Sequence, residues 1–68
     1  MTFGERLRIA IEQNEMSVAD YSRRTEISLQ NLSHLMSGQR TPRLWTLQTL
    51  VEALPATNLR WLITGKLK

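Results

Sequence analysis

Residues 17–38, S-V-A-D-Y-S-R-R-T-E-I-S-L-Q-N-L-S-H-L-M-S-G, constrain the fold more tightly than any other stretch, because they hold the start and stop signals of two helices in one short span. Ser17 can cap a first helix, and Asp20 at its third position suits the positive end of the helix dipole. Ser28 can cap a second helix, whose end is marked by Gly38. Ile27 just before that cap and Leu32 at the fourth helical position have the spacing of a hydrophobic staple, which fixes the angle at which the chain enters the second helix. The pattern predicts two short helices joined by a specified turn at Thr25 and Glu26. Tyr21 is expected to be buried from the first helix, with Val18 or Ser22, while Arg23 and Arg24 close its last turn, where cations suit the dipole.

The second helix is expected over residues 29–37, with Leu32, Leu35 and Met36 at the three-four spacing of a buried stripe. Leu29, Gln30, Ser33, His34 and Ser37 then share the opposite side. A solvated face more usually carries Lys and Glu. A face of Gln, Ser and His with one Leu instead suits a patterned partner, and base edges in a DNA major groove are such a surface.

The remaining segments read as further short helices. Thr2 and Glu5 have capping-box spacing, and Phe3, Leu7, Ala10 and Ile11 fall along one face of a helix over residues 2–14. Asn14 is expected to stop it in the left-handed conformation. Gly38 and Pro42 exclude continuous helix through residues 38–43. Leu44, Leu47, Leu50, Val51 and Leu54 mark a fourth helix that Pro55 ends, and a last one is expected over residues 58–64, stopped by Gly65. Residues 66–68 are expected to be a tail. The expectation is an all-α bundle of about five short helices, one domain over residues 1–68.

Composition narrows the function classes. A chain of 68 residues buries only ~60% of the surface that its unfolded form exposes, so its core is small. Nine Lys and Arg against six Asp and Glu give a net charge of +3, compatible with a polyanionic partner without demanding one. There is no cysteine, and His34 is the single histidine, so neither a disulfide framework nor a zinc site is expected and no cofactor is implied. No apolar run approaches a membrane span and no signal-peptide block opens the chain, so a soluble cytoplasmic protein is expected, with neither a membrane nor a small-molecule substrate as partner. An enzyme is not expected: no nucleophile stands by a base, no carboxylates pair, and no glycine loop cradles phosphate.

Taken in order, the Ser-capped second helix, the I-S-L-Q-N-L-S-H-L-M-S-G run, the loop with Pro42, the leucine-rich fourth helix and the closing N-L-R-W-L-I-T-G resemble the Cro and C1-type, XRE-like helix-turn-helix regulators, with the fold of the phage lambda repressor DNA-binding domain. The ending is similar to the W-L-L-T-G of phage repressors. The resemblance covers nearly the whole chain. It implies a DNA-binding repressor of phage or prophage origin that occupies a palindromic operator on double-stranded DNA, as a homodimer weak in solution and completed on DNA. The competing expectation is a protein-interaction module that keeps the fold without specific DNA binding.

The same resemblance distributes roles over residues. Leu29, Gln30 and His34 are expected at base edges. Gln30 can donate and accept at adenine, Leu29 can pack on a thymine methyl, and His34 either bonds a guanine or phosphate or merely covers the helix. Ser28, Asn31, Ser33, Ser37, Arg40 and Arg43 are expected on the DNA backbone. Trp45, Leu59 and Arg60 are candidates for a dimer interface, with Trp45 open between interface and core, while Trp61 matches the family's core tryptophan. Arg23 and Arg24 are assigned to solubility.

Departures from the family pattern are equally specific. Glu26 stands where relatives have glycine in the turn, Ser22 where they have alanine, and Val18 where they have a glutamine that contacts phosphate. Ile11 and Met36 occupy positions where many relatives carry an arginine and glutamate as a partly buried ion pair. Replacing both partners of such a pair by packed hydrophobes is often neutral or stabilising, whereas losing one is costly.

Overall fold

The computed structural model describes residues 1–66, and these form five helices with no strand among them. They are α1 Phe3–Gln13, α2 Val18–Thr25, α3 Leu29–Met36, α4 Leu44–Glu52 and α5 Leu59–Thr64. The all-α bundle expected from the sequence is therefore the fold, and of the expected tail, residues 67–68 lie outside the described residues.

Local capping sets most helix starts. Thr2 Oγ1 accepts the Glu5 N–H at 3.2 Å while the Glu5 carboxylate accepts the Thr2 N–H at 2.9 Å, and Ser17 and Asp20 repeat this reciprocal box at the head of α2. The backbone N–H at each N-cap holds its carboxylate partner below the usual range. Asn58 caps α5 through its side chain. No side chain caps α4, whose N-cap is Arg43.

Leu7, Ala10 and Ile11 of α1, Tyr21 of α2, Leu32 and Leu35 of α3, Leu50 of α4, Leu54 of the loop after it and Leu62 of α5 form the buried core. Helix α1 is the hub, packing against α2, α3 and α5. Its first turn presses on the last turn of α3: a Cβ at Gly4 would lie 2.2 Å from the Met36 carbonyl oxygen, so only glycine fits there. Ile11 is in the core and Met36 packs half-buried against it, so these apolar residues leave no buried charge unpaired.

The turn between α2 and α3 forms without glycine. Glu26 takes the left-handed conformation at φ 59 and ψ 23, at a cost of about 1 kcal/mol. Neighbouring hydroxyls hold it there. Thr25 Oγ1 donates to the Tyr21 carbonyl at 2.9 Å and accepts the Ile27 N–H at 3.3 Å. Ser22 donates to the Ile27 carbonyl at 2.6 Å, a bond that alanine could not make. Ile27 packs on the cluster that contains Leu32, as the staple spacing requires.

Three expectations are corrected. Asn14 is not left-handed, with φ −91; Glu15 takes that conformation instead, at φ 58. The Asn14 side chain is otherwise engaged, donating to the Ala10 carbonyl and to Thr57 Oγ1 at 2.8 Å each and accepting the Ala56 N–H at 2.9 Å. Helix α4 ends at Glu52, short of Pro55, so Leu54 reaches the core from the loop. Leu44 and Trp45 do not belong to a buried stripe, being 73% and 64% exposed, which removes the core reading of Trp45. Trp61, by contrast, packs half-buried against the core.

Arg6 is a feature that the hydrophobic pattern did not reveal. Buried in the angle between α1 and α5, it donates from Nε to the Leu62 carbonyl at 2.8 Å, from Nη2 to Ile63 at 3.3 Å and from Nη1 to Met1 at 2.7 Å. These include orphan carbonyls at the C-terminal end of α5, where a cation also suits the dipole. Gly65, left-handed at φ 79, leaves room for the guanidinium: an added Cβ would lie 3.2 Å from Nη1.

Candidate nucleic-acid interface

The sequence of α3 divides its surface by period alone, and the structure follows that division. Leu32 and Leu35 turn into the core with Met36 beside them, while Leu29 is 52% exposed and Gln30, Asn31, Ser33 and Ser37 are exposed. His34 is half-buried. No acidic residue occupies the first turn of α3, so no charge within the helix itself offsets its positive dipole end.

Hydrogen bonding limits what some of these groups can offer. Ser28 Oγ accepts the Asn31 N–H at 3.1 Å as the helix cap, which leaves its hydroxyl proton free to donate. Ser37 Oγ donates to the His34 carbonyl at 3.2 Å, so its proton is already committed. Gln30 makes no side-chain bond among the described residues, and its amide keeps both donor and acceptor.

A groove of about 760 Å³ runs between the α2–α3 turn and the loop leading into α4. It brings together Ser28 and Asn31 from the start of α3 with Arg40 and Arg43 from the loop and Trp45 from α4. Glu26 is its one carboxylate, against two arginines. Leu29, Gln30, Ser33, His34 and Ser37 are not part of its lining; the α3 face and the groove are adjacent surfaces joined at Ser28 and Asn31. Leu59 and Arg60 stand apart from the groove, exposed on α5. The groove thus takes in Trp45 but neither Leu59 nor Arg60, the two residues that the resemblance placed with it at a dimer interface.

Two short helices in tandem, a capped turn and an exposed polar second helix define a recognisable arrangement, and a family model for the helix-turn-helix domain matches residues 2–62. The chain belongs to the helix-turn-helix domain family. No curated protein and no solved structure matches it. Within this helix-turn-helix domain, α2 and α3 are the pair joined by the Glu26 turn, and α3 occupies the second position, which in the motif is the helix that enters the major groove. Val18 begins α2 half-buried, packed on the core, where it offers no polar group. No described helix is long and apolar enough to cross a membrane, and no described cluster of His, Asp and Glu could hold a metal ion.

Proposed function

We propose that this helix-turn-helix protein is a transcriptional repressor of the Cro and C1 type, of phage or prophage origin, which binds a palindromic operator as a dimer with α3 in the major groove. The observation that carries the reading is the face of α3: exposed but for the half-buried His34, free of Lys, Arg, Asp and Glu and rich in hydrogen-bonding groups, with Arg40 and Arg43 exposed in the loop beyond it. Such a face gains little from water alone and matches the donor and acceptor pattern of base edges. Gln30 reads adenine, Leu29 meets a thymine methyl, and His34 reaches a guanine or a phosphate. Ser28, Asn31, Ser33, Ser37, Arg40 and Arg43 hold the backbone, Ser37 by accepting or by giving up its bond to His34.

Reach supports dimerisation. One domain with extents of 31 × 24 × 20 Å covers a single half-site, and relatives gain specificity from two copies on half-sites roughly 34 Å apart. Leu59 and Ile63, 44% and 48% exposed and one turn apart on α5, with Arg60 beside them, supply the apolar strip for that contact. Bound to DNA, the protein works in the bacterial cytoplasm at the nucleoid and represses by occluding polymerase.

Selection of binding sites from a random duplex pool tests the whole reading. A palindromic motif is the expected result, and Gln30→Ala should weaken binding to it by ~1 to 3 kcal/mol and relax preference at one base pair per half-site. An unselected pool, with no salt-dependent binding, would instead favour a protein-interaction module. One chain per selected site would reject the dimer.

A further inference from the structure

We propose that Trp45 is part of the DNA-binding surface, its indole packing on the sugar-phosphate backbone beside the half-site that α3 reads, and not part of a protein-protein contact. The proposal rests on the DNA-binding reading above. Trp45 is 64% exposed, which leaves most of a large amphipathic side chain open to a partner. Three observations select the partner.

The first is position. Trp45 lines the same groove as Ser28, the N-cap of the recognition helix, and Asn31 in its first turn, so a partner that fills the groove reaches those groups and the indole together. Leu59 and Arg60, the remaining candidates for self-association, are absent from that lining. The second is charge. Arg40 and Arg43 flank Trp45 in the same groove, and neither forms an ion pair among the described residues, where the one salt bridge joins Arg23 and Asp20 on α2. With Glu26 as the sole carboxylate, the groove is net positive, which opposes docking of a second copy of the same surface and suits a polyanion.

The third is chemistry. An indole presents an apolar face and a single N–H donor, and the Trp45 N–H meets no acceptor among the described residues. A deoxyribose offers apolar C–H surface next to phosphate oxygens, which takes both halves of the side chain at once. A protein partner would need an acidic and apolar patch together. Contact with backbone alone carries no base information, so Trp45 adds affinity without selecting sequence.

Nuclear magnetic resonance reads this directly, because the chain has two tryptophans and hence two indole N–H signals, which Trp45→Phe assigns without touching the core. Titration of the wild-type protein with a mixed-sequence duplex at low salt should shift the Trp45 signal and leave that of Trp61 in place, and added salt should reverse the shift. Trp45→Ala should lower affinity for this duplex and for a selected operator by the same factor, about tenfold, with self-association in the absence of DNA unchanged by sedimentation. A Trp45 signal that stays still while salt-dependent binding persists would overturn the proposal and spare the DNA reading. A signal that moves with protein concentration alone, together with loss of self-association in Trp45→Ala, would return the residue to a dimer interface. Absence of any salt-dependent duplex binding by the wild-type protein would overturn both.

Discussion

Helices α3 and α4 have 8 and 9 residues, and both carry leucines at helical spacing, yet the sequence predicts one far better than the other. The devices that bound α3 are local: Ser28 caps its start, Ile27 staples it, and Gly38 follows its end at φ 82. Helix α4 has no side-chain cap, and its C-terminal end is held from elsewhere in the chain. The Tyr21 hydroxyl, 29 residues away, donates to the Leu50 carbonyl at 2.6 Å within the last turn of α4. A helix bounded by its own neighbours in sequence obeys its period. A helix bounded by a tertiary contact stops where that contact tells it to, here at Glu52.

The largest expected effect breaks the tertiary side of this contrast. Tyr21 is fully buried, so Tyr21→Ala should cost ~3–5 kcal/mol, comparable with the whole stability of a domain this small, and circular dichroism should show it largely unfolded. Tyr21→Phe keeps the ring and removes only the cap. That variant should lose ~1–2 kcal/mol, with faster amide exchange at the end of α4 and little change in α3. Its pH profile gives a separate signature. Burial raises the Tyr21 hydroxyl above its ordinary value near 10, so the folded state keeps the proton after an unfolded tyrosine has released it. The stabilisation is therefore complete below about pH 10 and is lost as pH rises beyond it, a dependence that Tyr21→Phe should remove. Equal alkaline sensitivity in the two proteins would reject Tyr21 as its source.

The other end of α3 shows that even a legible helix has a non-local dependence. Because a Cβ at Gly4 would collide with backbone atoms of Met36 and Leu35, which have no rotamer in which to escape, Gly4→Ala must push α1 away from α3. A cost of ~1–3 kcal/mol is expected from chemical denaturation, although alanine is the better helix former in isolation. A stabilised Gly4→Ala protein would mean that the two helices are not pressed together. In the sequence Gly4 is only a weak residue inside a helix pattern, and nothing there names the helix that it approaches.

The same distinction accounts for what could be read in advance. Capping residues Thr2, Ser17 and Ser28 act within three residues of themselves, and the structure has all three in that role. The exposed face of α3 follows from period once its buried stripe is known. Arg6, Asn14 and Tyr21 act on carbonyls or hydroxyls at separations of up to 57 residues, and no spacing rule reaches that far. For the candidate site, helical period located the polar face and the family resemblance pointed to Arg40 and Arg43, but the grouping of Trp45 with these arginines and Ser28 in one groove needed the fold.

A smaller change sharpens the local side. Ser28→Ala removes the acceptor for the Asn31 N–H and should cost about 1 kcal/mol by thermal or chemical denaturation. Fraying should be confined to the first turn of α3, while α4 keeps its exchange protection. Since that turn carries Leu29 and Gln30, operator affinity, measured by titration, should fall by more than the loss of the one phosphate contact proposed for Ser28.

The smallest effect runs in the opposite direction and supplies α4 with what α3 has. Arg43 occupies the N-cap of α4 with extended backbone at φ −76 and ψ 163, the geometry of a capping residue without a side chain that can accept. Arg43→Ser places a hydroxyl there and should stabilise the protein by about 0.5–1 kcal/mol, whereas Arg43→Ala should not. Both variants lose the guanidinium, so both should weaken binding to operator and mixed-sequence DNA alike and flatten the salt dependence by about one phosphate. The pair of substitutions thus separates the two roles of one position: a gain in melting temperature confined to serine reports the missing cap, and a shared loss of salt slope reports the backbone contact. If serine gained stability while both variants kept the wild-type salt slope, Arg43 would stand away from the DNA, and the uncapped helix would need another explanation. A cation kept at a position where a short hydroxyl would hold the helix better is what a DNA-binding role for Arg43 accounts for.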